Sequence, residues 1–318
     1  MSWPDAAAIA AAYVLDWAVG DPPRPTHPVV LIGRAITALE ARLHPWAERR
    51  GRLLAAGGLL TLVVVGGTWA VAWVVLDLAR RMNPWLGWAL EVWWLQVALA
   101  TRGLAQAAMA VERPTAAGDL AAARAALPAL VGRDTEGLPA EQIRRAVIES
   151  VAENTSDAVL APLFWAALGG APLALAYKAV NTLDSMVGHQ NARYALFGRV
   201  SARLDDAANW LPARLGGLVT LAAAGILGRS VRGGWRAWRQ DANHHPSPNA
   251  GIGEAIYAGA LGLRLGGASR YGGEVEERGV LHAVGRSPAA GDVRRALWLL
   301  AATATLGAAL AALGRWWL

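Results

Sequence analysis

The sequence predicts an all-α, polytopic integral membrane protein, and three observations lead to this fold class. Long apolar segments contain no charged residue and are about as long as a membrane-spanning helix must be. Hydrophobic residues make up 55% of the chain without glycine, whereas soluble domains reach about 45–50% with glycine included. Charged residues, 17% of the chain, lie mainly between the apolar segments. The chain therefore alternates between stretches that suit lipid and stretches that suit water.

The apolar segments justify the helices in order along the chain. Ser2–Gly20 lacks a basic start and contains Asp5 and Asp16, so it indicates a membrane helix rather than a cleaved signal peptide. Leu53–Leu76 is the clearest span because it is long and uncharged. The others are Pro84–Thr101, with Glu91 and a tryptophan-rich flank; Ala158–Tyr177; Leu211–Gly228, interrupted by Arg214; and Ala296–Gly314, followed by Arg315, Trp316 and Trp317.

Four polar stretches separate these segments and hold most of the ionisable side chains. We expect their loops and helix ends to form one site that faces the cytoplasm. No internal repeat is evident, so residues 1–318 are interpreted as a single membrane domain. The polar stretches are Asp21–Arg52, Arg102–Asp157, Lys178–Asn209 and Arg229–Arg295.

The topology of the chain has two solutions at this stage. If every apolar segment crosses the bilayer, Arg102–Asp157 and Lys178–Asn209 fall on opposite sides, although both look like parts of one site. A re-entrant hairpin over Ala158–Tyr177, bent at Gly169-Gly170-Ala171-Pro172, would return both to one face. Arginines outnumber acidic residues in the first polar stretch, which favours its cytoplasmic placement. We expect a multi-pass protein of the inner (plasma) membrane.

Composition excludes several functional classes. The net charge of +6 comes from arginines beside acidic residues in short polar stretches, which suits membrane topology better than nucleic-acid binding. The absence of cysteine excludes disulfides, thiolate nucleophiles, iron–sulfur clusters and cysteine-bound zinc. The single lysine, Lys178, follows Tyr177, so no phosphate-binding loop of the G-x-x-x-x-G-K-[ST] type exists. Any use of ATP therefore needs another kind of site.

An acidic face lies at the end of the second polar stretch. Pro139–Asp157 is predicted to be a helix, and Glu149, Glu153 and Asp157 share one face because they are four residues apart. Repelling carboxylates at the entrance to an apolar segment favour a bound cation, although a solvated helix face is the simpler alternative.

Two further groups follow in the third polar stretch. Lys178, Asn181, Asp184 and Ser185 fall within one arc of a predicted helix, which suits phosphate and Mg²⁺ binding; an ordinary amphipathic helix end is the alternative. Arg199, Arg203 and Asp206 also share a face beside Asp205, either for ligand binding or as ion pairs.

Two proline-rich turns hold polar side chains in defined positions. The first, Asp21–Pro28, carries Arg24 and His27 and precedes Arg34. The second, His244–Gly251, carries His245 and Asn249 and leads into Glu254. Adjacent histidines rarely chelate one ion, so a metal site at the second turn is not favoured.

Five ordered motifs spread over most of the chain resemble the CobD/CbiB family of cobalamin biosynthesis, the adenosylcobinamide-phosphate synthases. They are GDPPRPTHPVVLIGRAI (20–36), ESVAENTSDAVLAPLFWA (149–166), YKAVNTLDSMVG (177–188), FGRVSARLDDAANWLPARL (197–215) and HPSPNAGIGEAIYAGALGLRLGG (245–267).

The resemblance implies a ligase that forms a carbon–nitrogen bond. A propionate carboxyl of adenosylcobyric acid is joined to (R)-1-amino-2-propanol or its O-phosphate, with ATP and Mg²⁺ as expected co-substrates. Neighbouring corrinoid enzymes are expected partners besides the lipid bilayer.

We expect catalytic roles for Glu153, Asp157, Asp184, His27 and His245, with the general base left open among the carboxylates and these histidines. Nucleotide or phosphate contacts are expected from Lys178, Asn181, Arg24, Arg34, Arg199, Arg203 and Asn249. Magnesium ligands are expected from Glu153, Asp157, Asp184, Asp205 and Asp206.

Two other functional classes remain as alternatives. A secondary transporter would bind its substrate or protons at Glu91, Asp157 and Asp184, and inverted repeats would favour it. A non-catalytic scaffold for corrinoid enzymes would tolerate substitution of the polar groups.

Overall fold

A computed structural model describes residues 3–20, 27–49 and 51–317. The elements in chain order are α1 (Trp3–Val19), α2 (Pro28–Glu48), α3 (Leu53–Met82), α4 (Pro84–Ala98), α5 (Thr101–Ala117), α6 (Leu120–Ala126), a 3-10 turn (Leu127–Ala129), α7 (Ala140–Thr155), a π-helical turn (Ser156–Leu160), α8 (Ala161–Val187), α9 (Arg199–Ile226), α10 (Val231–Asp241), a 3-10 turn (Ala242–His244), α11 (Ala250–Leu261), β1 (Leu265–Tyr271), β2 (Glu274–Leu281) and α12 (Asp292–Trp317).

The chain forms two compact units. The first comprises Met1–Ala100, Ala161–Leu211 and Ala308–Leu318, and the second comprises Thr101–Leu160 and Pro212–Gly307. The interpretation of residues 1–318 as one membrane domain stays a prediction.

Within the described residues, three helices are long and apolar enough to cross a membrane: Leu53–Met82, the continuous run Ala140–Val187, and Asp292–Trp317. In the most apolar window of α3 only 28% of the residues are buried. Leu62 and Val71 are 70% and 64% exposed, as expected for a helix whose surroundings are lipid rather than protein. The predicted spans at α1 and α4 are also helical, but they are shorter, at 17 and 15 residues.

The first polar stretch is more ordered than the sequence suggested. We predicted a water-exposed segment over Asp21–Arg52, yet Pro28–Glu48 is helical. Helix α2 has an apolar face that packs against α3 and α8 and includes Ile36, which is completely buried. Leu60, Leu183 and Phe197 complete the centre of this core with no exposed surface. The amphipathic spacing of the apolar residues in α2 therefore favours a packed helix despite the charged residues between them.

The predicted bend in α8 is confirmed. Gly169 and Gly170 leave helical geometry, and Gly170 has φ +63°, which favours glycine. A Cβ on Gly170 would lie only 2.6 Å from Oε1 of Glu91. Arg315 donates a hydrogen bond from Nη1 to the carbonyl oxygen of Leu168 at 3.3 Å, so a cation satisfies the end of the first arm. The return of both arms to one membrane face stays a prediction.

Glu91, a candidate ion-binding residue in the transporter alternative, is already ion-paired. Its Oε2 lies 2.5 Å from Nη2 of Arg80, and the same guanidinium contacts Asp5 at 3.3 Å. Arg315 lies 3.8 Å from the other carboxylate oxygen of Asp5. Protein side chains thus already compensate the negative charge of Glu91, which a transported cation would otherwise bind.

The second unit contains a β-hairpin, so the all-α prediction is wrong in this segment. Strands β1 and β2 pair antiparallel, with Tyr271 opposite Glu274 across the Gly272-Gly273 turn. Both turn glycines have positive φ, and their N–H groups donate to Asp134 at 3.0 and 2.7 Å. Arg145 on α7 donates to the carbonyl oxygens of Gly266 and Ala268 at 2.7 and 2.8 Å. Bonds from sequence-distant residues hold the hairpin, and no local pattern discloses them.

Candidate active site

An acidic group lies where α8 and α9 pair in the first unit. It comprises Asp184 from α8 and Asp205 and Asp206 from α9, and we call it the α8–α9 acidic group. Asn209 donates a hydrogen bond from Nδ2 to Oδ2 of Asp205 at 2.9 Å, and buried Tyr177 donates from its hydroxyl to Oδ1 of Asn209 at 2.8 Å. The relay from Tyr177 through Asn209 orients the Asp205 carboxylate.

The surroundings of the Asp205 carboxylate disfavour its ionised form. Burial and, to a smaller extent, the neighbouring Asp184 carboxylate raise its pKa to about 7, although hydrogen bonds from Asn209 and Asn181 oppose the shift. Its Oδ1 is buried, and no hydrogen-bond partner for it exists in the described part of the chain. A buried carboxylate oxygen beside a second carboxylate needs a proton or a cation to compensate it.

Gly188 explains how Asp184 reaches this position. The Asp184 carboxylate folds back over the end of α8, where a Cβ on Gly188 would lie 2.0 Å from its Oδ1. Gly198 brings the returning chain close, because a Cβ there would meet the carbonyl oxygen of Val187 at 1.7 Å. Both glycines fall within the motifs YKAVNTLDSMVG and FGRVSARLDDAANWLPARL, and each provides space that a side chain would occupy.

The predicted phosphate-binding cations of the first unit lie on helices of the same core. Lys178 and Asn181 precede Asp184 on α8 and are partly exposed. Arg199 and Arg203 on α9 are exposed, and neither forms an ion pair with any described residue, so the ion-pair alternative for these arginines is wrong. Arg34 is exposed on α2, next to Gly33, whose position faces Met186 at 3.6 Å. Arg24 lies outside the described residues.

A second group of ionisable side chains lies in the other unit, and we call it the α7–α11 cluster. It comprises three acids and one histidine: Glu149, Glu153, Glu254 and His245. The sequence predicted a bound cation for the carboxylates of the α7 face, but protein groups already compensate Glu149. Arg133 donates to Oε2 of Glu149, the N–H of Gly266 donates to Oε1 at 2.8 Å, and Arg145 lies 3.6 Å away. Glu149 is therefore an anchor for the loop at Arg133 and for the hairpin.

Glu254 is the most deeply buried acid of the α7–α11 cluster. It is 4% exposed, and Oε1 lies 3.5 Å from Nε2 of His245. Burial raises the pKa of Glu254 well above its usual range, and the carboxylates of Glu149 and Glu153 raise it further. Burial likewise lowers the pKa of His245, with a smaller contribution from Arg278. Burial therefore favours the neutral form of both groups.

The hydrogen bonds of His245 restrict its use as a general base. Its Nδ1 accepts the backbone N–H of Ser247 at 3.0 Å, which assigns the proton of the neutral ring to Nε2, the nitrogen facing Glu254. His27 is similarly engaged, because its Nδ1 accepts the N–H of Val29 at 3.2 Å and caps α2. Each predicted histidine base thus has one ring nitrogen occupied by backbone.

The remaining predicted site residues of the second unit have separate positions. Glu153 is partly buried on α7, and Asp157 lies in the π-helical turn, a type of distortion often found at functional sites. Asn249 is 3% exposed and accepts a hydrogen bond from Nη1 of Arg214 at 3.3 Å. The buried position of Asn249 fits a structural contact better than direct contact with a nucleotide.

No three Asp, Glu or His side chains among the described residues are arranged to hold one metal ion. Mg²⁺ commonly binds proteins through only one or two carboxylates, with water and phosphate oxygens completing its octahedron. The unsatisfied Oδ1 of Asp205 beside Asp184 fits that mode of binding. Glu153 and Asp157 belong to the other unit, and their convergence with Asp184 on one ion stays a prediction.

Comparison with known proteins decides the family. A family model described as CobD/Cbib protein matches residues 9–300. The chain belongs to the CobD/CbiB family. It is 49% identical over 310 residues to the cobalamin biosynthesis protein CbiB of Salmonella arizonae, with 96% of each chain covered. It is 50% identical over 311 residues to the cobalamin biosynthesis protein CobD of Klebsiella pneumoniae subsp. pneumoniae, again with 96% of each covered. No solved structure matches the chain.

Several residues of this CobD/CbiB chain belong to the site region but were not predicted as site residues. Asn209 and Tyr177 form the relay to Asp205, and Glu254 forms the buried pair with His245. The spacing of Asn209, four residues after Asp205, was a usable signal because such residues are neighbours on a helix. Glu254 carried a second signal, a single acid in the otherwise apolar run of α11.

Close packing accounts for the glycines of the CobD/CbiB motif around α11. A Cβ on Gly251 would lie 2.2 Å from the carbonyl oxygen of Ala242, and one on Gly253 would lie 2.8 Å from that of Ala152 on α7. These glycines allow α11 to approach both the His245 turn and α7. Glu254 is thereby held within the electrostatic reach of Glu149 and Glu153.

Proposed function

We propose that this chain is an enzyme of cobalamin biosynthesis that forms an amide bond between a propionate carboxyl of adenosylcobyric acid and (R)-1-amino-2-propanol or its O-phosphate, with ATP and Mg²⁺. Membership of the CobD/CbiB family supports the pathway, since the relatives are named as cobalamin biosynthesis proteins. The observation that carries the chemical part is the pair Asp184 and Asp205, because one buried carboxylate oxygen of Asp205 has no partner in the part of the chain that the structure describes.

The proposed reaction needs activation of the carboxylate. A carboxylate oxygen attacks the γ-phosphorus of ATP and ADP leaves, giving an acyl phosphate. The amine nitrogen then attacks the acyl carbon, inorganic phosphate leaves, and the nitrogen loses a proton as the amide forms. Mg²⁺ would neutralise the phosphates and orient them.

The residues of the α8–α9 acidic group suit the role of cation ligands. Asp184 and Asp205 would hold Mg²⁺, with Asn209 and Tyr177 orienting Asp205. Lys178, Arg199 and Arg203 supply positive charge on the same two helices, and the exposed guanidinium groups suit bidentate phosphate contacts.

The proton of the amine needs an acceptor, and the hydrogen bonds of His27 and His245 argue against both histidines. Glu254 is also less suitable because burial favours its protonated form. We assign proton acceptance to Asp206, the carboxylate of the α8–α9 acidic group that is not assigned to Mg²⁺.

The test uses the purified, detergent-solubilised full chain. It is incubated with adenosylcobyric acid, Mg-ATP and either aminopropanol or aminopropanol phosphate, and amide product and ADP are measured together. Equal amounts of product and ADP are expected with at least one of the amines. Absence of both from folded protein would refute the proposal. Product formed without ADP would refute the ATP-dependent activation but would leave the proposed role in cobalamin biosynthesis intact.

Matched variants connect the reaction to the α8–α9 acidic group. Asp184→Asn should abolish turnover at ordinary Mg²⁺, whereas Glu48→Gln, an exposed acid at the end of α2, should leave it unchanged. Asp157→Asn tests the contribution of the second unit in the same assay. Normal activity in both Asp184→Asn and Asp157→Asn would make these acids structural.

A further inference from the structure

Helix α10 has one face fixed against the protein by close backbone packing. A Cβ on Gly233 would lie 2.4 Å from the carbonyl oxygen of Gly259 on α11, and one on Gly234 would lie 2.9 Å from a methyl group of Leu221 on α9. The Ser230 side chain caps the helix by accepting the N–H of Gly233 at 3.0 Å. This packing prevents α10 from rotating about its axis. It therefore fixes which side chains of the helix face away from the protein.

The outward face of α10 divides into an apolar edge and a basic arc. Val231 and Trp235 are 42% and 44% exposed and lie one turn apart. At about 100° per residue, the three arginines of the helix fall in the arc next to this edge, and all three are exposed. The Arg239 guanidinium lies 6.0 Å from the centroid of the Trp235 ring. The basic arc comprises Arg232, Arg236 and Arg239.

The apolar edge continues an exposed apolar stripe of α9. Leu215, Leu218 and Ile226 are 44%, 51% and 69% exposed and lie on one side of that helix. The stripe reaches α10 directly, because a Cβ on Gly225 would lie 3.2 Å from Cγ2 of Val231. This part of α9 falls within the segment whose sequence predicted a membrane helix.

We infer that α10 lies in the membrane–water interface and binds the phosphates of anionic phospholipids. The apolar edge with the α9 stripe would enter the acyl boundary, and the basic arc would meet the headgroups. Charge complementarity favours an anionic surface: Arg229 precedes the helix, and its one acid, Asp241, is committed to the backbone N–H of His282 at 2.9 Å. An acidic protein or a nucleic acid would neutralise the arginines but leave the exposed apolar edge in water.

The position of the helix is testable with single-cysteine variants, since the chain has no cysteine of its own. A nitroxide is attached at Trp235→Cys, at Val231→Cys or at Gln240→Cys, which is exposed on the far side of the basic arc. The full chain is placed in nanodiscs that contain phosphatidylglycerol, and collision with oxygen and with a water-soluble nickel chelate is measured. Labels at 231 and 235 should favour oxygen, and the label at 240 should favour the chelate. Equal access of the chelate at all three positions would overturn the inference.

The lipid preference is tested separately. The detergent-solubilised full chain is titrated with phosphatidylglycerol or phosphatidylcholine, and bound lipid is counted by native mass spectrometry. We expect about tenfold tighter binding of phosphatidylglycerol, which the triple variant Arg232→Gln, Arg236→Gln, Arg239→Gln should abolish. The control variant Arg42→Gln, Arg113→Gln, Arg264→Gln removes three exposed arginines from other elements and should retain the preference. Equal losses in both variants, or no loss in either, would overturn the assignment to α10.

Discussion

Asn209 orients Asp205: its side-chain amide donates a hydrogen bond across 2.9 Å to one oxygen of the carboxylate, while the other oxygen is buried and has no partner among the described residues. The two residues lie one turn apart on α9, so the helix itself sets their separation. Tyr177 fixes the amide in turn, through a 2.8 Å bond from its hydroxyl. These bonds hold the second oxygen of the Asp205 carboxylate in one orientation, as outer hydrogen bonds do for a carboxylate that ligates a cation.

Substitution of the orienting amide should weaken Mg²⁺ binding without removing a ligand. We expect Asn209→Ala to raise the Mg²⁺ concentration for half-maximal turnover by about 10-fold to 100-fold, the usual cost of losing a group that orients a ligand. The rate at saturating Mg²⁺ should fall much less. Gln190→Ala, which truncates an exposed amide in the same unit, serves as the control. An unchanged Mg²⁺ requirement in Asn209→Ala would show that the relay serves packing alone.

The raised pKa of Asp205 predicts the direction of two pH effects. The folded-state pKa of about 7 exceeds the ordinary 3.8, so the folded protein holds this proton more tightly than the unfolded chain does. Without Mg²⁺, the Asp205 contribution to stability should therefore decline as pH rises from about 4 to about 7. The apparent affinity for Mg²⁺ should increase over the upper part of that range, as the proton leaves.

Thermal unfolding and Mg²⁺ titrations at several pH values measure these effects, and Asp205→Asn provides the comparison. The variant cannot titrate at this position, so it should lose the pH-dependent part of both measurements. A wild-type profile that Asp205→Asn reproduces would assign the titration to another group.

The sequence predicted the parts of the fold that depend on local physics. The bend at Gly169-Gly170 was predictable because two glycines and a proline interrupt an otherwise regular helix. The position of Asp206 on one face with Arg199 and Arg203 was predictable from helical spacing. The hairpin over Leu265–Leu281 was not, since Asp134 and Arg145 hold it from more than a hundred residues away.

The same distinction separates the two acidic groups. Asp184 and Asp205 were predicted as ligands of one Mg²⁺ site together with Glu153 and Asp157, and the contact of Asp184 with Asp205 across α8 and α9 is a tertiary one. Glu149 looked uncompensated in the sequence because its strongest partner, Arg133, lies in a loop outside its own helix. Local spacing discloses which charges share a face, and only packing discloses which of them are neutralised.

Gly188 should be intolerant of even a methyl group. In Gly188→Ala the Cβ would lie 2.0 Å from Oδ1 of Asp184, so the carboxylate must rotate away from Asp205. We expect a loss of about 100-fold in kcat/KM, comparable to the cost of misplacing a catalytic group by an ångström. Gly66→Ala adds the same methyl group on α3, where nothing lies within 4 Å, and should be neutral. Full activity in Gly188→Ala would exclude Asp184 from the site.

The Arg133–Glu149 pair should contribute far more to stability than an exposed pair. Both side chains are largely buried, at 8% and 12% exposure, and Glu149 also accepts the N–H of Gly266 at the start of the hairpin. Arg133→Gln leaves a buried carboxylate that Arg145 compensates only from 3.6 Å. Removing one partner of a buried pair typically costs about 3–5 kcal/mol, and we expect a decrease in the free energy of unfolding near the lower figure. The matched control is Arg278→Gln, which breaks the more exposed pair with Glu276 and should cost at most about 1 kcal/mol.

A double-mutant cycle separates the pair from its surroundings. The variant Arg133→Gln, Glu149→Gln removes both charges, so the penalty of an unpaired buried carboxylate disappears. Its loss of stability should be smaller than the sum of the two single losses, because each single variant leaves one charge behind. Hydrogen exchange should report the same coupling locally, with faster exchange in Leu265–Leu281 in each single variant. Additive losses, or Arg133→Gln costing no more than Arg278→Gln, would mean that the hairpin depends on the backbone bonds of Arg145 and Asp134 rather than on this ion pair.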